Sequence, residues 1–127
     1  MPLVNVTLYR KSRPAGFKPA MLDAIHAALV ASGVPAADRF QRVLELDAED
    51  LCVDPTFPDA AVARGDDMLL IEILWSAGRS VRVKRALLAD LMERLMSIGV
   101  DPEQVFVCFK ETQWENWAFA GGRLMHA

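Results

Sequence analysis

One offset of 66 residues constrains this chain more than any other feature in it. Gly33-Val34 recurs as Gly99-Val100, Arg13 as Arg79, and Pro2 falls opposite Met68, all at that separation. A shift that aligns strand with strand, turn arginine with turn arginine and helix stop with helix stop marks an internal duplication. The first copy predicts a strand over 1–8, a polar turn around Arg13 and a helix over 18–32 whose apolar face is Leu22, Ile25 and Leu29. Gly33 stops that helix, Pro35 prevents its continuation, and a second strand runs over 39–46. The second copy predicts a strand over 68–75 and a helix over 80–97, then Gly99 and a strand over 105–109. Ser80 is the expected N-cap of its helix, and Val83, Leu87, Leu88, Leu91, Leu95 and Ile98 form the apolar face.

Each copy is a β-α-β unit, whose crossover is right-handed and whose two strands are parallel. The expected fold is therefore α+β: one domain over 1–127, with pseudo-repeats 2–46 and 68–110 forming a four-stranded mixed sheet with two helices on one face. The stretch 47–67, punctuated by Pro55, Pro58 and Gly65, is an excursion between the repeats with a short strand over 51–53. Strands this apolar cannot leave the uncovered sheet face in water, so the chain is expected to oligomerise.

Several function classes drop out. A net charge of −3 supplies no basic face for nucleic acid. No apolar run is long enough to span a membrane. The first residues lack the basic region, apolar core and cleavage site of a secretory signal, so a cytoplasmic protein is expected. Cys52 and Cys108 are isolated from each other and from any Cys/His pattern, which offers neither zinc nor a disulfide framework. His26 and His126 have no Ser, Cys or Asp partner at a suggestive spacing, so a hydrolase triad has no support.

What remains points to Pro2. Proline is tolerated at the first residue of a strand because no ladder donor is lost there. Aminopeptidases generally remove an initiator methionine ahead of proline, which would leave a free secondary amine at a sheet edge. Burial beside cations would lower its basicity enough for it to act as a base near neutral pH, whereas a protonated amine would polarise a carbonyl. Arg79 directly precedes the second helix, where a guanidinium and free helix N–H groups together suit a carboxylate. Arg82, about one turn on, is a further candidate, and Arg13 reads as a solvated turn arginine. Asp38 lies in the turn before the second strand, a common place for an Asx-type turn. Trp114, Trp117 and Phe119 either wall a pocket or pack a core or interface.

Four pieces occur in a telling order: Met1-Pro2-Leu3; Gly33-Val34-Pro35-Ala36-Ala37-Asp38-Arg39-Phe40-Gln41; Ala77-Gly78-Arg79-Ser80; and Glu111 followed by Asn116-Trp117-Ala118-Phe119. Together they resemble the tautomerase superfamily, in particular its malonate semialdehyde decarboxylase-like branch. The resemblance covers nearly the whole chain outside the excursion. It implies a homotrimer without cofactor or metal, acting on a small carboxylate substrate with an amino-terminal proline in a hydrophobic pocket. It also implies a role for Asp38 as the partner of Pro2, orienting water or substrate. In that branch a second arginine can stand two residues before Arg79, where this chain has Ala77. The expected activity is isomerisation of small 2-oxo or enol acids, with Pro2, Asp38 and Arg79 catalytic and Arg79, Arg82, Trp117 and Phe119 binding substrate. The alternatives are a lyase acting on a small β-keto acid such as malonate semialdehyde, and a non-catalytic trimeric binding module. Hydration-type dehalogenation would need a water-activating carboxylate, for which Glu111 is the candidate.

Overall fold

The structure, a computed structural model, describes residues 2–124; the readings placed on Met1 and His126 fall outside the described residues. Its elements are β1 (Leu3–Tyr9), α1 (Phe17–Ala31), β2 (Phe40–Leu46), β3 (Leu69–Ser76), α2 (Val81–Met96) and β4 (Val105–Thr112). The sheet order is β2-β1-β3-β4. β1 pairs with β2 in parallel, β3 with β4 in parallel, and the two units meet antiparallel through β1 and β3. This is the expected mixed sheet of two duplicated units.

The duplication reaches hydrogen-bond detail. Both helices end alike: Gly33 and Gly99 take positive φ (114° and 91°), and the next amides, Val34 N–H and Val100 N–H, turn back to Leu29 O and Leu95 O at 3.1 Å each. That closure satisfies a carbonyl left over in the last turn and needs glycine, which alone adopts the left-handed conformation without a Cβ penalty. A Lys–Glu ion pair also recurs at the 66-residue offset, Lys18 with Glu45 and Lys84 with Glu111. In each copy the lysine is in the first turn of the helix and the glutamate is near the end of the edge strand, so the pair latches the crossover. The helix starts differ. Ser80 Oγ accepts Val83 N–H at 3.2 Å as foreseen, whereas α1 starts from Gly16 with no side-chain cap.

The core lies between the helices and one sheet face. Val4, Val6 and Leu8 of β1 stand across from Ile73, Ile71 and Leu69 of β3, all essentially buried. α1 covers them with Met21, Ala24, Ile25, Ala28 and Leu29, and α2 with Leu87, Leu91 and Leu95. Ile25 and Leu29 face inward as expected, and only Leu22 of the expected face departs. Leu22 is only half-buried, because Met21 takes the central position and two alanines let α1 lie close to the sheet. Val83 and Leu88 are likewise half-buried at the rim of the α2 stripe. Ile71 is fully buried in the central strand β3, so Ile71→Ala should cost about 2–5 kcal/mol by removing methylenes and leaving a cavity. Equilibrium urea unfolding at fixed protein concentration checks this; a loss below 1 kcal/mol, as an order of magnitude, would mean a core that collapses around the gap.

The opposite face carries Leu3, Phe40, Leu44 and Phe106, which the strand registers bring to the same side, at 36–46% exposure. The excursion forms no strand over 51–53, which corrects the sequence reading; it has a 3-10 turn at Ala48–Asp50 instead. It is held by long-range contacts. Tyr9 O–H donates to Leu51 O at 2.8 Å, and Gln104 accepts Gly65 N–H at 2.9 Å while donating to Ala63 O at 3.0 Å. Asp54 accepts Thr56 and Phe57 N–H, which hold its carboxyl below the usual carboxylate range. Cys52 and Cys108 are free thiols.

Candidate active site

Pro2 is buried one residue ahead of β1. The parallel register of Leu3 with Phe40 brings β2 alongside, and the antiparallel register of Leu3 with Leu74 carries Pro2 to the level of Trp75. Trp75 in turn pairs with Glu111 of β4. The start of β1 therefore gathers the residues preceding β2, the end of β3 and the end of β4. Pro2 opens onto a cavity of about 300 Å³ whose other walls are Leu3, Phe40, Trp117, Ala118 and Phe119. Phe119 stands between its neighbours, 5.6 Å from the Phe40 ring and stacked at 5.5 Å on Trp117. Trp117 is tied down by its indole N–H, which donates to Ser76 Oγ at 3.1 Å. Phe40 and Phe119 are 46% and 39% exposed, so in a single chain these walls leave the cavity open on one side.

Arg79 leaves the β3–α2 turn and folds back over β3. Its Nη1 donates to Ser76 O at 2.7 Å, and its guanidinium lies 4.2 Å above the centre of the Trp75 ring, which is itself stacked 5.0 Å from Phe109. One contact to a neutral carbonyl and one to a ring face fix the guanidinium plane and leave its Nη2 without a partner among the described residues. Partial burial lowers its pKa from the ordinary arginine value, and the charges of Glu111 and Asp38 oppose that shift. An arginine remains charged even so. Those two carboxylates are thus the acidic groups that Arg79 feels. Asp38 is buried in the turn before β2. His26 of α1 reaches the same turn, with Nε2 2.8 Å from Ala36 O.

Glu111 is tied to Lys84, and that hydrogen bond, with help from the Gly78 amide and the Arg79 charge, holds its carboxyl below the usual range. A carboxylate so stabilised is a weak base, which counts against Glu111 as a water activator. Arg82 is exposed in the first turn of α2, and Trp114 is exposed at 41% and outside the cavity wall. Arg13 departs from its reading as a solvated turn arginine: it is half-buried, donates to Tyr9 O at 2.9 Å and sits 5.2 Å over the Phe17 ring.

Sequence reasoning missed Phe40, Trp75 and Ser76 as parts of the site. Phe40 was named as a strand residue and within the motif after Gly33 but was given no place in the site; a parallel strand starting beside Pro2 was the signal that it could reach the same place. Ser76 and Trp75 look like the end of an apolar strand, and nothing in their spacing announces that one anchors Arg79 and Trp117 while the other carries the guanidinium.

Comparison with known proteins gives a consistent picture. The chain is 29% identical over 125 residues to the "Probable tautomerase YusQ" of Bacillus subtilis (strain 168), spanning 97% of this chain and 96% of that protein. Its fold matches FG41 malonate semialdehyde decarboxylase inhibited by 3-bromopropiolate, with a TM-score of 0.85, 29% identity, and coverage of 96% of this chain and 92% of the other. A fused 4-OT solved as a symmetric trimer matches with a TM-score of 0.74 at 30% identity, covering 96% and 94%. The family model for tautomerase enzymes matches residues 38–120, from the buried Asp38 through the aromatic wall. On that match, the chain belongs to the tautomerase family.

Proposed function

We propose that this protein is a cofactor-free tautomerase of small 2-oxo or enol acids in which the Pro2 amine moves the proton. The observation that carries the reading is the burial of Pro2 at the mouth of an aromatic cavity, at the level of the Trp75 ring over which Arg79 is held. Arg79 holds the substrate carboxylate through its uncommitted N–H groups, with Arg82 as a second, outer cation. Trp117 and Phe119 exclude water from the carbon skeleton. The amine, once Met1 is removed, takes a proton from the enol oxygen or from carbon and returns it at the other position. Asp38 serves as the polar partner of the amine, orienting it or the substrate oxygen.

A second reading is a lyase acting on malonate semialdehyde, and the TM-score of 0.85 to a malonate semialdehyde decarboxylase favours it. There a cationic Pro2 polarises the aldehyde carbonyl as carbon dioxide leaves. The two readings separate in parallel assays of phenylenolpyruvate ketonisation and malonate semialdehyde decarboxylation. Turnover of the first compound alone supports the tautomerase, turnover of the second alone the lyase, and turnover of neither a binding module.

The active assembly is a homotrimer. The apolar sheet face bearing Leu3, Phe40, Leu44 and Phe106 supports it, as does the trimeric state of the fused 4-OT relative. Leu44→Asp introduces a charge on the edge strand of that face and should shift the protein to monomers by light scattering. An unchanged mass would place the interface elsewhere. Among the described residues no helix is long and apolar enough to cross a membrane, and the reading keeps a cytoplasmic enzyme with no nucleic-acid partner.

A further inference from the structure

The duplication that builds the site at the start of β1 also builds a counterpart at its other end. A cavity of about 310 Å³ opens there between the turn after β1 and the loop after α2, lined by Lys11, Ser12, Arg13, Gly99, Asp101 and Gln104 among others. Through the 66-residue offset its Arg13 corresponds to Arg79 and its Gln104 to Asp38. The correspondence is physical as well. Arg13, like Arg79, gives one guanidinium N–H to a carbonyl of the preceding strand and lies over an aromatic ring, Phe17 in place of Trp75.

Two differences set the chemistry of this second cavity. Met68, fully buried, stands where the first site has Pro2, so no amine is available. Gln104 stands where the first site has Asp38, so a neutral amide replaces a carboxylate. Two carboxylates, Asp67 and Asp101, also line the cavity, and each has a partner, a lysine for Asp67 and a backbone amide for Asp101. Asp66 and Asp67 bind Lys11 at 3.0 and 2.6 Å and are largely exposed, Glu45 pairs with Lys18, and Asp101 accepts Glu103 N–H at 3.0 Å. Among the described residues Arg13 is held by a carbonyl and a ring, and its Nε is buried with no hydrogen-bond partner. A held guanidinium with a free N–H at a cavity is a carboxylate receptor.

We infer that this cavity is a second, non-catalytic site for a small monocarboxylate, held by Arg13. Without an amine the ligand binds and leaves unchanged. The inference does not depend on the reaction proposed for Pro2.

The test uses the full-length Arg79→Ala protein, which weakens the first site, labelled with nitrogen-15 and titrated with sodium pyruvate at ionic strength balanced with sodium chloride. Saturable amide shifts are expected across residues 11–17 and 99–104. Adding Arg13→Gln should weaken that binding roughly 10- to 100-fold, the usual loss for a charge-assisted hydrogen bond. Ser12→Glu alters an exposed residue of the same wall, breaks no contact of Arg13, and should weaken binding in the same direction. It serves if Arg13→Gln does not fold. Absence of saturable shifts in those segments overturns the inference, as does an affinity that neither variant changes.

Discussion

Pro2→Ala is expected to lower kcat/KM by roughly 10²–10⁴-fold, the range over which a positioned general acid–base acts. The variant still starts with an amine once methionine is removed, so a fall of that size would separate the rigid secondary amine from any amine at that position. The pyrrolidine ring fixes the backbone torsion at its own nitrogen, and β1 fixes the rest, because Leu3 is paired on both sides, with Phe40 and Leu74. Alanine frees that torsion and exchanges a secondary for a primary amine, while the ladder beyond it is untouched. Thermal melting should therefore stay close to the parent, and steady-state kinetics should carry the effect. Turnover that survives the substitution would remove Pro2 from the chemistry.

Arg79→Ala should raise KM far more than it lowers kcat. Truncating a held, hydrogen-bonded charge against a ligand charge typically costs about 2–5 kcal/mol, a loss of affinity of roughly 30-fold or more. The guanidinium is pre-positioned by Ser76 O and the Trp75 ring, so little ordering is needed when the carboxylate arrives. Arg79→Lys keeps the charge but loses the planar fork and the stacking; it should recover part of the binding and not all of it. A KM unmoved by Arg79→Ala would assign the carboxylate to another cation, with Arg82 the next to test.

Much of the fold was legible because duplication writes the same signals twice. The glycines at 33 and 99, the N-cap Ser80 and the apolar strand expected over 68–75 are local signals, and each appears where local chemistry puts it, the strand one residue later at Leu69–Ser76. Ile25 and Leu29 of α1 were named correctly, but Leu22 was named in place of Met21, because a helix rich in alanine and other apolar residues offers two neighbouring positions and only the sheet decides between them. The excursion was illegible for a different reason. Its internal bonds, from Asp54 and Arg64, are local, but it is fixed to the rest of the fold by Tyr9 and Gln104, distant in the chain, and no local pattern carries that information.

The site divides in the same way. Pro2, Asp38, Arg79, Trp117 and Phe119 were named from the sequence, and the structure brings Pro2, Trp117 and Phe119 to one cavity. Arg79 feels the charge of Asp38. Phe40, Trp75 and Ser76 were invisible because their contribution depends on strand register. Arg13 was misread because a turn arginine looks solvated until Tyr9 O and the Phe17 ring are seen to hold it.

The central claim is that a free Pro2 amine does the work, and the intact mass of the active, purified protein tests it most directly. A mass short of the full sequence by one methionine residue, in a preparation that turns over substrate, is the result expected. A full mass in an equally active preparation would mean that Met1 caps the nitrogen of Pro2, and that would contradict the account.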